Sequence, residues 1–396
     1  MPILSKRQKM NKRSHGEGSL TRRKNGTFLA QVSIEGRRVS KTFKLRKEAQ
    51  EWITTINGQV RQGLTFESTR TTVDELMEGW LNNKRAKLRP ATIESYCNMN
   101  RQYISPALGK LKLKDVSAAR VQKFYSDLEK RGIGKRTIEM THTILHGFLG
   151  HAHRLGLIAQ NWAALVEVPR PGKSEMHVWD ESQVSQFLQF VNADPLYRLA
   201  FSTGMRRGEI VGLQWKDIDW NSGMLHVRRQ AYRPEGGGFI FQTPKTERGT
   251  RGIRLGRGML EALRVHYNET IPLMQAIAGG SWQDYDLIFP TSRGTPKDGD
   301  TVLKEFQRLT ERAGLPPIRF HDIRHTAASI MLLHGEPPVR VAGILGQSVQ
   351  VLLTTYAHYI PDNQETAANL MDAITTPTSI TFENSSSLQQ IAAGKK

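Results

Sequence analysis

Cysteine is almost missing from these 396 residues: Cys97 stands alone. A single thiol excludes an intrachain disulfide and any zinc cluster built on cysteines, and it fits a reducing cytosol. No apolar run reaches the roughly 18 residues that a membrane span needs. The basic N-terminus lacks the apolar segment of a secretory signal. Neither a Walker-type phosphate loop nor a clustered carboxylate metal site stands out, so no nucleotide, metal or other cofactor is expected. Acidic residues are scarce at the front, where residues 1–61 hold 15 Lys or Arg against four Glu and no Asp, a net +11.

What is present is positive charge. Lys and Arg number 56 against 37 Asp and Glu, giving +19 and a pI near 10.1. An excess of this size favours a polyanionic partner. The length and the 38% hydrophobic fraction suit two or three folded domains, each with its own core.

Hydrophobic spacing divides the chain and predicts a multidomain α+β protein. From Gly18 an Asn25-Gly26 hairpin turn leads into Phe28, Ala30, Val32 and Ile34 at period two, and Arg37 to Phe43 returns as a third strand. A helix over Arg46 to Ile53 is expected to cover the sheet with Ala49, Trp52 and Ile53. The exposed face of this small three-strand-plus-helix module is expected to carry Arg22, Arg23, Lys24, Arg37, Arg38 and Lys41, a basic sheet suited to a DNA major groove. Gln59 to Thr71 reads as a linker. Apolar repeats such as Val73, Leu76, Met77, Trp80 and Val121, Phe124, Tyr125, Leu128 predict about four helices in a bundle. Arg170 to Lys173 reads as the next linker. Beyond it, Asp180-Glu181-Ser182 caps a helix, TGMRRGE separates two more, and Met224–Arg229, Phe239–Thr243 and Gly252–Leu255 form a three-stranded antiparallel sheet with Lys245 at a hairpin tip. Helices follow from Arg257 and Asp300, and the tail past Ile374 is polar. The boundaries are 1–66, 72–172 and 175–374, with a flexible tail at 375–396.

Phosphate chemistry is offered at four separate places. His321 and Arg324 sit three apart in HDIRH and share one helix face. Arginine is shaped to hold two phosphate oxygens at once. Tyr356 in TTYAHY offers a hydroxyl nucleophile. Arg206 lies in TGMRRGE, and Lys245 in the PKT hairpin, with Lys216 and Arg248 as nearby cations.

TGMRRGE, PKT, HDIRHT, LGQS and TTYAHY, in this order, resemble the tyrosine recombinases, the integrases of bacteriophages and other mobile elements. The resemblance implies an arm-type DNA-binding front domain, a helical core-binding domain and a mostly helical catalytic domain. It implies site-specific recombination through a covalent 3′-phosphotyrosyl intermediate, without metal or ATP, in the bacterial cytoplasm. Tyr356 would be the nucleophile, and Arg206 and Arg324 would hold the scissile phosphate. Lys245 would protonate the leaving oxygen, and His321 would contact phosphate and accept a proton. Glu209 would orient Arg206 or His321. The spacing of nine residues from Gln347 selects Tyr356 over Tyr359. Arg207 is expected to be a solvated neighbour, and His325 and His358 to pack or bond backbone. Gln347 departs from the family's usual His or Trp; it can donate a hydrogen bond but cannot move a proton near neutral pH. The implied partners are double-stranded DNA carrying core-type and arm-type sites, three further copies of the chain in a homo-tetramer, and a directionality factor or DNA-bending protein. Two other readings remain open: a recombinase that resolves chromosome dimers, and a non-catalytic DNA-binding regulator.

Overall fold

The structure is a computed structural model that describes residues 18–34, 36–61, 70–172, 176–244, 247–361 and 364–375. The chain divides into two compact units, residues 1–175 with 234–236 and residues 176–233 with 237–396.

The first unit opens with an antiparallel sheet in the order β1 (Ser19–Arg22), β2 (Phe28–Ile34), β3 (Arg37–Phe43). Gly26, at φ +81°, supplies the left-handed residue of the first turn, where Asn25 Oδ1 accepts from the Thr27 amide. Ala30, Val32 and Ile34 are buried beneath α1 (Arg46–Arg61) by Ala49, Ile53 and Ile56. The helix therefore runs past the expected end at Ile53, because Ile56 and Val60 extend its apolar stripe.

The register also corrects the expected basic face. Lys41 pairs with Ala30 and Arg37 with Ile34, so both belong to the face that α1 covers, at the free edge of β3. Arg38 pairs with Ser33 and stands on the open face with Gln31 and Ser40. Arg22, Arg23, Lys24, Arg37, Arg38 and Lys41 are all exposed, but they do not share one surface.

Four helices follow in the same unit: α2 (Val73–Arg85), α3 (Pro90–Met99), α4 (Ala118–Lys130) and α5 (Lys135–Arg154), with a π-helical stretch at Asn100–Gly109 that continues α3. Thr72 and Glu75 form a capping box at the start of α2. Met77, Trp80, Tyr125 and Phe148 lie in a core separate from the one beneath the sheet.

The second unit is mostly helical: α6 (Glu181–Phe190), α7 (Pro195–Thr203), α8 (Arg207–Ile210), α9 (Arg257–Val265), α10 (Ile271–Ala278), α11 (Gly299–Arg312), α12 (Phe320–Leu333), α13 (Pro338–Leu345), α14 (Val349–Tyr356) and α15 (Gln364–Thr375). Asp180 and Gln183 close the capping box expected at the start of α6.

The sheet differs from expectation. Its order is β4 (Ile218–Asp219), β5 (Met224–Val227), β8 (Arg251–Arg254), while β6 (Gln230–Tyr232) and β7 (Ile240–Gln242) form a separate ribbon. The Phe239–Thr243 segment thus pairs with Gln230–Tyr232 instead of joining the main sheet. Arg229 turns inward to the buried Asp217 carboxylate, which ends β5 at Val227. Beyond it β6 lies against α8 and the turn that follows it: a Cβ at Gly208 would meet the Ala231 carbonyl at 3.4 Å, and one at Gly212, just past the helix, the Ala231 amide nitrogen at 2.6 Å.

Helix α12 is the central element, with Ile323, Arg324, Thr326, Ala327 and Ala328 all buried. On one side lies an aromatic core of Trp179, Phe187, Phe306 and Phe320. On the other, Ala328 and Leu332 meet Val341, Leu345, Leu352 and Tyr356. Packing on both flanks holds α12 rigid and fixes the side chains at its N-terminal end.

Candidate active site

Two glycines in the left-handed conformation set the site. Gly204 (φ +59°) ends α7 and Gly346 (φ +66°) ends α13. A Cβ on Gly204 would lie 2.5 Å from Leu345 Cδ2, so the two turns touch only because this position is glycine.

Arg206 follows the first turn and stands at the N-cap of α8. Glu209 reaches back to it, accepting from the Arg206 amide at 3.0 Å and from Nη1 at 2.9 Å. Arg206 Nη2 donates to the Gly346 carbonyl at 3.4 Å, and the side chain stays 40% exposed. Glu209 therefore orients the arginine and forms no bond to His321.

Arg324 is the opposite case, only 3% exposed. Its Nη1 donates to the Gly204 carbonyl and its Nη2 to Gln347 Oε1, both at 3.0 Å. Among the described residues no carboxylate lies within ion-pair distance of it. Burial, and then the Arg206 charge, lower its pKa to about 10. A buried cation without a counterion is costly. Such a site is built to receive an anion.

Gln347 completes this surface. Since a guanidinium only donates, the bond to Arg324 fixes the amide with its oxygen inward. Its Nε2 is buried and has no hydrogen-bond partner among the described residues. His321 lies one turn before Arg324 with an accessible edge; desolvation of its ring, then Arg324, holds its pKa below the ordinary imidazole value. Arg319 and Asp322 pin the start of α12 through a capping box and an ion pair at 2.7 Å.

Tyr356 is the last residue of α14 and only 2% exposed. Its hydroxyl shares a hydrogen bond with His325 Nδ1 at 2.5 Å. Burial raises the phenol to about 12, with Arg324 pulling the other way. His325 is held near 4, first by burial and then by His321, so its ring is neutral at neutral pH. Tyr359 is half-buried at the edge of the small core, its ring tilted 43° against that of His358 with centres 4.2 Å apart. Lys245 lies outside the described residues.

A model described as "Phage integrase family" matches residues 177–362, and one described as "Phage integrase, N-terminal SAM-like domain" matches residues 72–128. The chain belongs to the tyrosine recombinase (phage integrase) family. It is 28% identical over 381 residues to a XerC-like tyrosine recombinase of Caldanaerobacter subterraneus subsp. tengcongensis, covering 88% of this chain and 97% of that one. It is 23% identical over 367 residues to the ICEBs1 integrase of Bacillus subtilis, covering 89% and 99%. In fold it resembles the Tn1549 transposon integrase, solved in complex with a circular intermediate DNA (TM-score 0.62, 19% identity, 76% of this chain and 99% of that one). It also resembles lambda integrase, solved as a tetramer bound to a Holliday junction (TM-score 0.53, 18% identity, 89% and 97%). The protein is a tyrosine-type site-specific recombinase that acts on DNA.

Within this recombinase the structure sets two bonded pairs at the Gly204 and Gly346 turns, Arg206 with Glu209 and Arg324 with Gln347, with His321 a turn away on α12 and Tyr356 bonded to His325. Two residues behave differently from expectation, and a third, Arg251, was not singled out in the sequence. His325 touches the Tyr356 hydroxyl instead of packing or bonding backbone. Arg207 is not merely solvated: its Nη1 donates to the Gly299 carbonyl at 2.9 Å and pairs with Asp300, which ties α8 to α11. Arg251 bonds Glu209 from the far side, at 3.0 Å from Nη2 to Oε2. In the sequence it is one of four arginines spaced by threes (Arg248, Arg251, Arg254, Arg257), and only its period-two match with buried Ile253 hinted that it points inward.

Proposed function

We propose that this recombinase cuts and rejoins DNA through Tyr356 and that it integrates a mobile element. The observation that carries the reading is Arg324, a buried guanidinium that among the described residues has no carboxylate partner, beside a second arginine and an amide donor that among them is unpaired. A scissile phosphate supplies the missing anion. Arg206, Arg324 and Gln347 then donate to its non-bridging oxygens, with most effect where charge builds in the transition state. Tyr356 attacks phosphorus, the bond from phosphorus to the 5′-oxygen breaks, and a 3′-phosphotyrosyl link forms. With its phenol near 12, Tyr356 keeps its proton until the new bond forms. His321 contacts phosphate and accepts the proton that Tyr356 releases, and Lys245 gives a proton to the leaving 5′-oxygen. Rejoining runs the same steps backwards with another 5′-hydroxyl, so the energy of the broken bond is kept.

The proposal includes three working parts: 1–66 as an arm-type DNA-binding domain, 72–172 as a core-binding domain and 175–374 as the catalytic domain. Four copies would act together on DNA, as the lambda tetramer does on its Holliday junction, with a directionality or DNA-bending protein choosing the outcome. The XerC-like relative favours chromosome-dimer resolution as the second reading.

The decisive experiment uses a suicide duplex nicked near the cleavage site. Wild type forms a covalent protein–DNA adduct, whereas Tyr356→Phe binds the same DNA and forms none. An adduct from the Phe variant would transfer the nucleophile to another hydroxyl, with Tyr359 first in line.

A further inference from the structure

We propose that Arg251 is a positioning residue for strand cleavage, locking Glu209, the end of α13 and the loop after Lys245 into one arrangement so that Arg206 and Gln347 face the scissile phosphate. This rests on reading the site as the recombinase active centre.

Arg251 spends its donors inside the protein. Nε donates to the Ile344 carbonyl at 2.5 Å and Nη1 to the Gly249 carbonyl at 3.0 Å. Nη1 and Nη2 reach the two oxygens of Glu209 at 3.3 and 3.0 Å. Its side chain is only 6% exposed. With its donors turned inward, Arg251 does not itself bind phosphate.

Two of the anchors belong to elements that carry a site group, and the third, Gly249, lies four residues after Lys245 in the sequence. Glu209 holds Arg206. Ile344 stands two residues before Gly346, whose carbonyl accepts from Arg206, and three before Gln347. The guanidinium also lies against the bare backbone of Gly346, where a Cβ would come within 2.9 Å of Nη1 and 3.0 Å of Cδ. The Gly346 turn therefore keeps its shape partly because Arg251 fills the space beside it.

Charge explains why an arginine is used. Glu209 is 1% exposed, and burial alone would raise its carboxyl. The hydrogen bonds and charge of Arg251, with a smaller share from Arg206, outweigh that and keep it ionised. One carboxylate cannot neutralise two guanidiniums. Arg251 reaches both of its oxygens in a fork and shares them with Arg206, whose Nη1 keeps its 2.9 Å bond to Oε1 while the side chain stays partly exposed toward the site. Without Arg251, the buried carboxylate would have Arg206 as its one cation and would draw it inward.

The test uses the full-length protein and single-turnover cleavage of the nicked suicide duplex in two forms. One carries an ordinary scissile phosphate. The other carries a methylphosphonate there, which has one anionic oxygen fewer and needs less cationic help. For Arg251→Met we expect cleavage of the phosphate duplex to fall about 30- to 100-fold, as for loss of a transition-state donor. On the methylphosphonate the deficit should shrink to about threefold, with core-site binding little changed. Arg251→Lys, which keeps the charge but not the fork, should fold like wild type and show a smaller loss with the same dependence on substrate. If the Met variant does not fold, the Lys variant carries the comparison. Equal losses on both duplexes would reduce Arg251 to a general stabiliser and overturn the proposal, as would no loss on the phosphate duplex. If wild type formed no adduct, or Tyr356→Phe did, the underlying reading of the site would fail instead, whatever Arg251 does.

Discussion

Arg324 decides which end of the Gln347 amide faces the site, and this settles what residue 347 can contribute. Its oxygen is committed to Arg324 and its Nε2 has no partner among the described residues, so one N–H donor is available to a phosphate oxygen. A hydrogen bond to a charged group is commonly worth roughly 1.5–3 kcal/mol. Gln347→Ala should therefore slow single-turnover cleavage about tenfold to a hundredfold, while Gln347→His, which also donates, should preserve it. An alanine variant as fast as wild type would make Gln347 a spectator. A second residue-scale effect concerns His325, surrounded by His321, Asp322, Arg319, Arg324 and the Tyr356 hydroxyl. Its pKa is about 4 when folded against an ordinary 6.5, so unfolding takes up a proton between those values. Its share of stability is complete above the ordinary value and is lost as pH falls through the folded one. Urea unfolding from pH 7 to pH 4 should show a steeper loss for wild type than for His325→Gln. Equal slopes would place the acid sensitivity elsewhere, with His321 the next group to examine.

Among the elements, helices were far more legible than strand pairings. The Asp180 cap, the α2 stripe and the placement of His321 and Arg324 on one helix all depend on residues three or four apart, and a sequence displays that spacing directly. Sheet pairing joins segments far apart in the chain. Nothing local states that Arg229 will turn onto Asp217, or that Gly208 and Gly212 will leave room for β6 against α8 and the turn after it, so the ribbon was assigned to the wrong sheet. The front strands were found, yet the shared face of Arg37, Arg38 and Lys41 failed on parity, because neighbouring residues in a strand point to opposite sides. The site shows the same division. Arg206, His321, Arg324 and Tyr356 were singled out as candidates because their motifs stand in the order the resemblance expects. Arg251 and His325 act through contacts 42 and 31 residues away along the chain, which no spacing announces.

For the molecule as a whole, charge and packing set the front segment apart, and the proposed arm-type role makes it a separate working part. Residues 1–61 carry +11 of the total +19. The sheet and α1 enclose their own core, from Ala30 to Ile56, distinct from the core of the helices that follow. A segment with its own core and most of the net charge can be removed without opening the others. Deleting residues 1–66 should therefore abolish binding to a second, arm-type class of DNA site while sparing cleavage at core-type sites. The fall in affinity with salt reports the number of phosphates neutralised. Wild type on full attachment sites should thus show a steeper salt dependence than the truncated protein, and the two should agree on an isolated core site. Suicide-substrate cleavage should be retained by the truncated protein, and recombination between full attachment sites should be lost. A truncated protein that recombined full sites normally would show that the front sheet has no part in bridging DNA. Its basic residues would then serve only to raise general affinity for a polyanion.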